Sequence, residues 1–294
     1  MNIGMIGIGL MGHGIASNLV KHGHQLTVLD HPGNQPLDAL LAAGAKTAPT
    51  PKQVAADAEI VIICVTGSPQ VEAVLTGEGG VLQGLRKGAI VVDCSTAVPS
   101  STEKLAALVQ EAGGGFIDAP MTRTPKEAAE GRLNLLVGGD KHLFDQCLPV
   151  LRCFAENISH VGAIGAGHRM KLLHNYVSLG CIALISEAAA SALSAGIAPD
   201  VFIDVLAKGG GGGAALERLR PQLLSGDAGA LRFAMSNAFK DLGYFTTMAA
   251  DSGTVHRIAD AVQSTFEAAI AQAGPDTFVP QLVNLLQQSA KTRH

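Results

Sequence analysis

The chain has 294 residues, 47% of them apolar and 16% charged, with a formal net charge of −4. That length and composition suit two globular domains with sizeable cores, and without a basic excess the chain lacks the field that binding a phosphate backbone requires, so nucleic acid is excluded as a partner. The five cysteines, odd in number and without a C-x-x-C pair, argue against a disulfide framework or a zinc site and fit a reducing cytoplasm.

The opening MNIGMIGIGLMG is apolar but lacks a basic leader and a small-residue cleavage site, so it reads as part of the fold. Within it, Gly7-Ile8-Gly9-Leu10-Met11-Gly12 follows a predicted strand and opens a predicted helix, the context that makes G-x-G-x-x-G informative. Gly7 permits the tight turn, Gly9 lets the backbone approach a pyrophosphate, and Gly12 lets helix pack on strand. The helix start offers N–H groups to the anion. The next strand, QLTVLD, ends in Asp30, placed to accept the ribose hydroxyls and to repel a 2′-phosphate, so NAD is favoured over NADP. His31 beside it would tolerate a phosphate if charged.

The pattern continues with strands at EIVIICV, AIVVDCS, GGFIDAP and LNLLVGG, separated by amphipathic stretches such as SSTEKLAALVQEAG and DKHLFDQCLPVLRCF. Short apolar runs alternating with helices predict βαβ units around a doubly wound parallel sheet over residues 1–163. From 164 to 294 the sequence reads as helix after helix, an all-α domain whose first helix runs from His168 to near Ala195, roughly 40 Å long. No stretch holds the uninterrupted apolar length of a membrane span; the Ala-rich segment 181–195 is broken by Glu187 and serines. Gly209 to Gly213 cannot be helix interior and is predicted to be a loop.

On the first of these helices, Lys171, His174, Asn175 and Ser178 are spaced i, i+3, i+4 and i+7, which gathers them on one face. A lysine on such a stripe is either solvated or catalytic. A carbonyl accepting hydride develops alkoxide character, which an ammonium stabilises and then protonates. Desolvation lowers a lysine pKa toward the range such a proton donor needs.

GIGLMGHGIASNLVKHGHQLTVLD resembles the opening of the β-hydroxyacid dehydrogenase family, which includes 3-hydroxyisobutyrate dehydrogenases, and DCST, DAPMTRTPKEAAEG, GAGHRMKLLHNYVS and KDLGYFTTMA resemble its further motifs in order. The resemblance covers nearly the whole chain. It implies a Rossmann domain, a helical domain that often makes dimers or tetramers, and an NAD(P)-linked reaction between an alcohol and an aldehyde. It further implies that Lys171 is the acid/base, Asn175 its partner, Thr96 a cofactor and substrate contact, and Lys240 a group near the nicotinamide. Val65 and Thr66 would meet the cofactor ribose.

The family's substrate loop usually runs D-x-P-V-S-G-G, whereas this chain has Asp118-Ala119-Pro120-Met121-Thr122-Arg123-Thr124. An arginine in place of a glycine brings a planar fork of donors suited to an oxyanion. Arg123-Thr124 with Ala128 and Ser178 resembles the sulfolactaldehyde reductase branch, where His174 takes the place of an asparagine. The expectation is a cytoplasmic enzyme without a metal. Lys171 and Asn175 act on a small acidic aldehyde or its alcohol, and Thr96, Thr122, Arg123, Thr124, His174 and Ser178 bind it. 3-Sulfolactaldehyde is the leading substrate, with 3-hydroxyisobutyrate-type or tartronate semialdehyde chemistry next. An imine reductase-like enzyme or a binding protein without turnover are the alternatives that the presence of Lys171 argues against.

Overall fold

A computed structural model describes residues 1–291 of the chain. Contacts divide it into two compact units, Met1–Lys171 and Leu172–His294.

The first unit opens with β1 (Asn2–Ile6), α1 (Leu10–Lys21), β2 (Gln25–Leu29), α2 (Asp38–Ala42), β3 (Lys46–Ala48), α3 (Pro51–Ala55), β4 (Ile60–Ile63) and α4 (Ser68–Thr76). It continues with β5 (Ile90–Asp93), α5 (Pro99–Glu111), β6 (Gly115–Asp118), β7 (Met121–Thr122), α6 (Pro125–Ala129), β8 (Leu133–Gly138), α7 (Lys141–Leu151) and β9 (Ala155–Gly162), and α8 (Ala166–Ser194) begins in it. The sheet order is β3-β2-β1-β4-β5-β6-β8-β7, with β9 on β8. Strands β1 to β6 pair in parallel, and β8 runs antiparallel to β6 and β7.

Strands β4 (IVII) and β5 (IVVD) are buried throughout, as β-branched runs covered on both faces must be. One apolar cluster joins Ile3, Met5, Ile15, Leu19, Ile60 and Val92, and another joins Ile6, Val61, Ile63, Val71, Val91 and Leu105. The strand order reverses between β1 and β4, and in open α/β sheets ligands bind beyond the carboxyl ends of the strands at that switch.

The second unit holds the rest of α8 and then α9 (Pro199–Lys208), α10 (Ala214–Ser225), α11 (Met235–Asp251), α12 (Arg257–Ala273) and α13 (Leu282–Lys291). Gly209 to Gly213 joins α9 to α10 outside regular helix. Leu179, Ile182, Leu216, Leu219, Leu242 and Phe266 form its core, and Tyr176 stacks on Phe245 with ring centroids 4.2 Å apart. By length and composition α8 is apolar enough to cross a membrane, contrary to the expectation from uninterrupted runs, because its alanines raise the mean hydropathy across Glu187. Core helices of globular units pass the same test, and Leu179, Ile182, Ala183 and Ala189 of α8 are core residues.

Candidate active site

The glycine loop after β1 is built as its spacing predicts. Gly7 has φ +93°, and a Cβ there would meet the Cys64 carbonyl oxygen at 2.2 Å; a Cβ on Gly12 would lie 1.9 Å from the Gly7 carbonyl oxygen. Both positions are closed to any side chain. A Cβ on Gly9 would meet nothing within 4 Å, so the open side of the turn is where a phosphate can approach. Gly9 is the N-cap of α1 and brings no capping side chain, which leaves the capping role at that helix start to a ligand. Ile8 is buried beneath the turn, Leu10 is exposed and Met11 is half-buried. Asp30 stands exposed just beyond β2, its N–H bonded to the Ala48 carbonyl at 2.9 Å, and the His31 ring accepts the Gly33 N–H at 3.0 Å. These residues fit a dinucleotide, with Gly7 to Gly12 at its pyrophosphate and Asp30 at its ribose.

Beyond β5 and β6 lies a buried polar group that pattern reading did not single out. Asp93, Asp118 and His168 are each wholly enclosed. Asp118 accepts the N–H groups of Gly165 and His168, both at 2.8 Å, and so caps the start of α8 with a carboxylate from another element. A Cβ on Gly167 would lie 2.8 Å from that carboxylate, which explains the glycine of GAGH. The His168 ring sits 2.8 Å from the Thr102 hydroxyl on α5 and 3.1 Å from the Ser95 carbonyl oxygen. Ser95 in turn accepts the Val65 N–H through its hydroxyl at 3.0 Å and donates its own N–H to Asp93 at 2.9 Å. Burial holds the Asp93 carboxyl above the usual carboxylate range, with His168 opposing that shift. Burial likewise pushes the Cys64 thiol up to about 12, which removes it as a nucleophile near neutral pH. Thr96 follows Ser95 and is half-buried, and Thr66 is exposed beside Val65.

In the loop after β6, Arg123 has φ +83°, the only non-glycine with positive φ among the described residues. Its guanidinium pairs with Glu156 on β9 and donates to the Arg132 carbonyl. The Arg123 hydrogen bond holds the Glu156 carboxyl below its ordinary value. Thr124 caps α6: its N–H donates to Glu127 at 3.0 Å, and its hydroxyl donates to the same carboxylate. Thr122 accepts from Asn134 at 3.1 Å. Ala128 is buried where α6 packs on α1, and Asn18 donates to its carbonyl at 3.0 Å. Each polar residue of this loop therefore has a protein partner within its own unit.

Lys171 is half-buried on α8, three residues after His168 and one turn before Asn175. In the second unit, Asn175 is buried and donates to Asp241 of α11 at 2.6 Å, while His174, exposed, donates from Nδ1 to the Asn175 side-chain oxygen at 3.0 Å. Lys240 lies 3.2 Å from the other Asp241 oxygen and 5.4 Å from the Tyr244 ring centroid. Three predicted residues, His174, Asn175 and Lys240, thus meet around Asp241. Ser178 accepts from Arg218 of α10 at 3.1 Å. Asp241 and Arg218 were not predicted as site residues; Asp241 was visible within KDLGYF, and Arg218, an exposed helical arginine, gave no signal.

Residues 2–162 match the family model described as the NAD binding domain of 6-phosphogluconate dehydrogenase, and residues 165–286 match that described as NAD-binding of NADP-dependent 3-hydroxyisobutyrate dehydrogenase. The chain is 37% identical to 3-sulfolactaldehyde reductase of Escherichia coli (strain K12), over 82% of this chain and 80% of that one. It is 35% identical to 2-(hydroxymethyl)glutarate dehydrogenase of Eubacterium barkeri, over 83% of this chain and 80% of that one. The chain belongs to the β-hydroxyacid dehydrogenase family. Among solved structures, Mycobacterium tuberculosis 3-hydroxyisobutyrate dehydrogenase with L-serine superposes with a TM-score of 0.88 at 25% identity, covering 97% of this chain and 99% of that one. As a member of this family the chain is an NAD(P)-dependent oxidoreductase of the 3-hydroxyacid type, with a Rossmann domain followed by a helical one.

Proposed function

We propose that the protein interconverts a small acidic aldehyde and its alcohol, with 3-sulfolactaldehyde as the first substrate to test and NAD as the preferred cofactor. The observation that carries the reading is Asn175, a buried amide fixed by Asp241 at 2.6 Å one helical turn after Lys171. An amide so fixed is a rigid orienter for an ammonium on the same helix face. The bound nicotinamide supplies the hydride. Lys171 stabilises the oxygen on which charge develops and gives it a proton, and in the reverse direction accepts that proton. Arg123, Ser178 and His174 supply donors to the anionic tail, and Thr96, Thr122 and Thr124 complete the substrate contacts. Lys240, Val65 and Thr66 serve the cofactor, as do Gly7, Ile8, Gly9, Leu10, Met11, Gly12, Asp30 and His31. The exposed Asp30 carboxylate just beyond β2 favours NAD over NADP, because it would repel a 2′-phosphate.

A dicarboxylate semialdehyde is the second reading, favoured by the 35% identical 2-(hydroxymethyl)glutarate dehydrogenase and by a histidine at position 174 that adds positive charge when protonated. We place the enzyme in the cytoplasm as a homodimer or homotetramer; Val177 and Leu184, 61% and 71% exposed on α8, supply apolar surface for self-association. Oxidation of NADH and NADPH over sulfonate, carboxylate and phosphonate aldehydes, with wild type and Arg123→Ala, tests the assignment. The expected result is a preference for sulfolactaldehyde with NADH that Arg123→Ala abolishes. Equal turnover of every compound by both proteins would remove the anion clamp.

A further inference from the structure

His168 occupies a position from which three segments can be held at once. Its ring is wholly enclosed, and each ring nitrogen has a partner on a different segment. The Ser95 carbonyl carries no proton, so Nε2 must donate to it. The Thr102 hydroxyl can then give its proton to the bare Nδ1 at 2.8 Å, a shorter contact than the 3.2 Å to its alternative acceptor, the Val98 carbonyl. That tautomer satisfies the whole imidazole with neutral groups. The backbone N–H of the same residue is held by Asp118 at 2.8 Å, so side chain and main chain are tied to different strands.

What is tied together matters more than the bonds themselves. Ser95 precedes Thr96 and holds the Val65 N–H at 3.0 Å, while His168 lies three residues before Lys171. A shift of the His168 ring is therefore transmitted to the loop at Val65, to the loop at Thr96 and to the helical turn that ends in Lys171. Asp93 is drawn into the same enclosure, 3.9 Å from Nε2, and its buried Oδ2 has no hydrogen-bond partner among the described residues. A leucine in this place would leave the enclosed Ser95 carbonyl without its donor. A ring satisfied on both sides in an enclosed polar pocket has one orientation only.

We propose that His168 is a positioning residue, which locks the start of α8 to the ends of β5 and β6 so that the cofactor loops and Lys171 keep one geometry. The proposal rests on the assignment of Lys171 as acid/base, and its test carries a readout independent of that assignment.

The variants are His168→Leu, which keeps bulk but no polar atom, His168→Gln, whose amide can still donate to Ser95, and Thr102→Val, which removes the Nδ1 partner with little change of shape. Each is compared with wild type by NADH fluorescence titration, by kcat and KM on the best aldehyde, and by hydrogen exchange of amides 165 to 171. His168→Leu is expected to weaken NADH binding about 10-fold, to lower kcat on the order of 100-fold with a smaller change in KM, and to lose protection at 165 to 171. His168→Gln recovers both binding and kcat to within about threefold of wild type, which a role in packing alone would not produce. Should His168→Leu fail to fold, Thr102→Val decides, with a fall in kcat of about 10-fold expected. NADH affinity, kcat and protection all within about twofold of wild type in whichever of these two variants folds would overturn the proposal, whatever the change in melting temperature. If wild type turns over no acidic aldehyde, the acid/base assignment fails alone, and NADH affinity and exchange still judge His168.

Discussion

Asp93, Asp118 and His168 at the ends of β5 and β6 are each 0% exposed and bond chiefly to backbone groups, whereas the polar chain of the helical unit begins in buried Asp241 and Asn175 and ends in an exposed His174 and a half-buried Lys240. Enclosed groups that spend their hydrogen bonds on the main chain fix where loops and helix starts lie. Groups anchored at one end and accessible at the other are left able to meet a ligand. The first arrangement should therefore be felt as stability and alignment, the second as chemistry.

The largest expected effect sharpens this division. Lys171→Ala should lower aldehyde turnover on the order of 1000-fold while NADH affinity and melting temperature stay near wild type, measured by steady-state kinetics, fluorescence titration and calorimetry. Next come two carboxylates compared directly. Asp118→Ala strips two enclosed N–H groups of their acceptor and should cost about 3 kcal/mol in urea unfolding. Asp241→Ala should cost about 1 kcal/mol but lower kcat of the folded enzyme about 30-fold, because Asn175 loses its anchor. The reverse ranking would break the comparison.

Smaller effects follow from charge. Burial raises the Asp93 carboxyl above 3.8, so the folded state holds that proton more tightly than the unfolded chain. The stability this confers is complete below about pH 3.8 and is lost as pH rises through the folded value. Asp93→Asn keeps an acceptor for the Ser95 N–H and cannot ionise, so its stability relative to wild type should climb with pH across that window and then level off, read from urea midpoints. His168, Asp118, Cys64 and Cys94 face the same carboxyl, and a flat difference would mean that folding leaves the proton affinity of Asp93 unchanged. The smallest change is expected from Glu156→Gln, which releases the Arg123 guanidinium: KM for an anionic aldehyde should fall about threefold, more at low ionic strength than at high.

Six strands were legible as apolar runs, and all six are strands in the structure. β9 was not, because it pairs with β8 and leaves half of AENISHVG exposed, so no apolar run marks it. β3 and β7 have three and two residues, too few for a period to register. The glycine loop was legible because its meaning lies in spacing along the chain. The His168 group was not, since Thr102 and Ser95 stand 66 and 73 residues from it and only the sheet topology brings them together. Polar residues at strand ends, in DCST and DAP, were the available sign.

Arg123 carries one more consequence. With φ at +83° its backbone occupies a conformation that costs a side-chain-bearing residue about 1 kcal/mol and glycine almost nothing. Replacement by glycine would relax the main chain and harden the protein toward heat while taking away the guanidinium. Any library ranked only by thermal tolerance should collect that glycine, and with it would lose the guanidinium on which the proposed anion clamp depends.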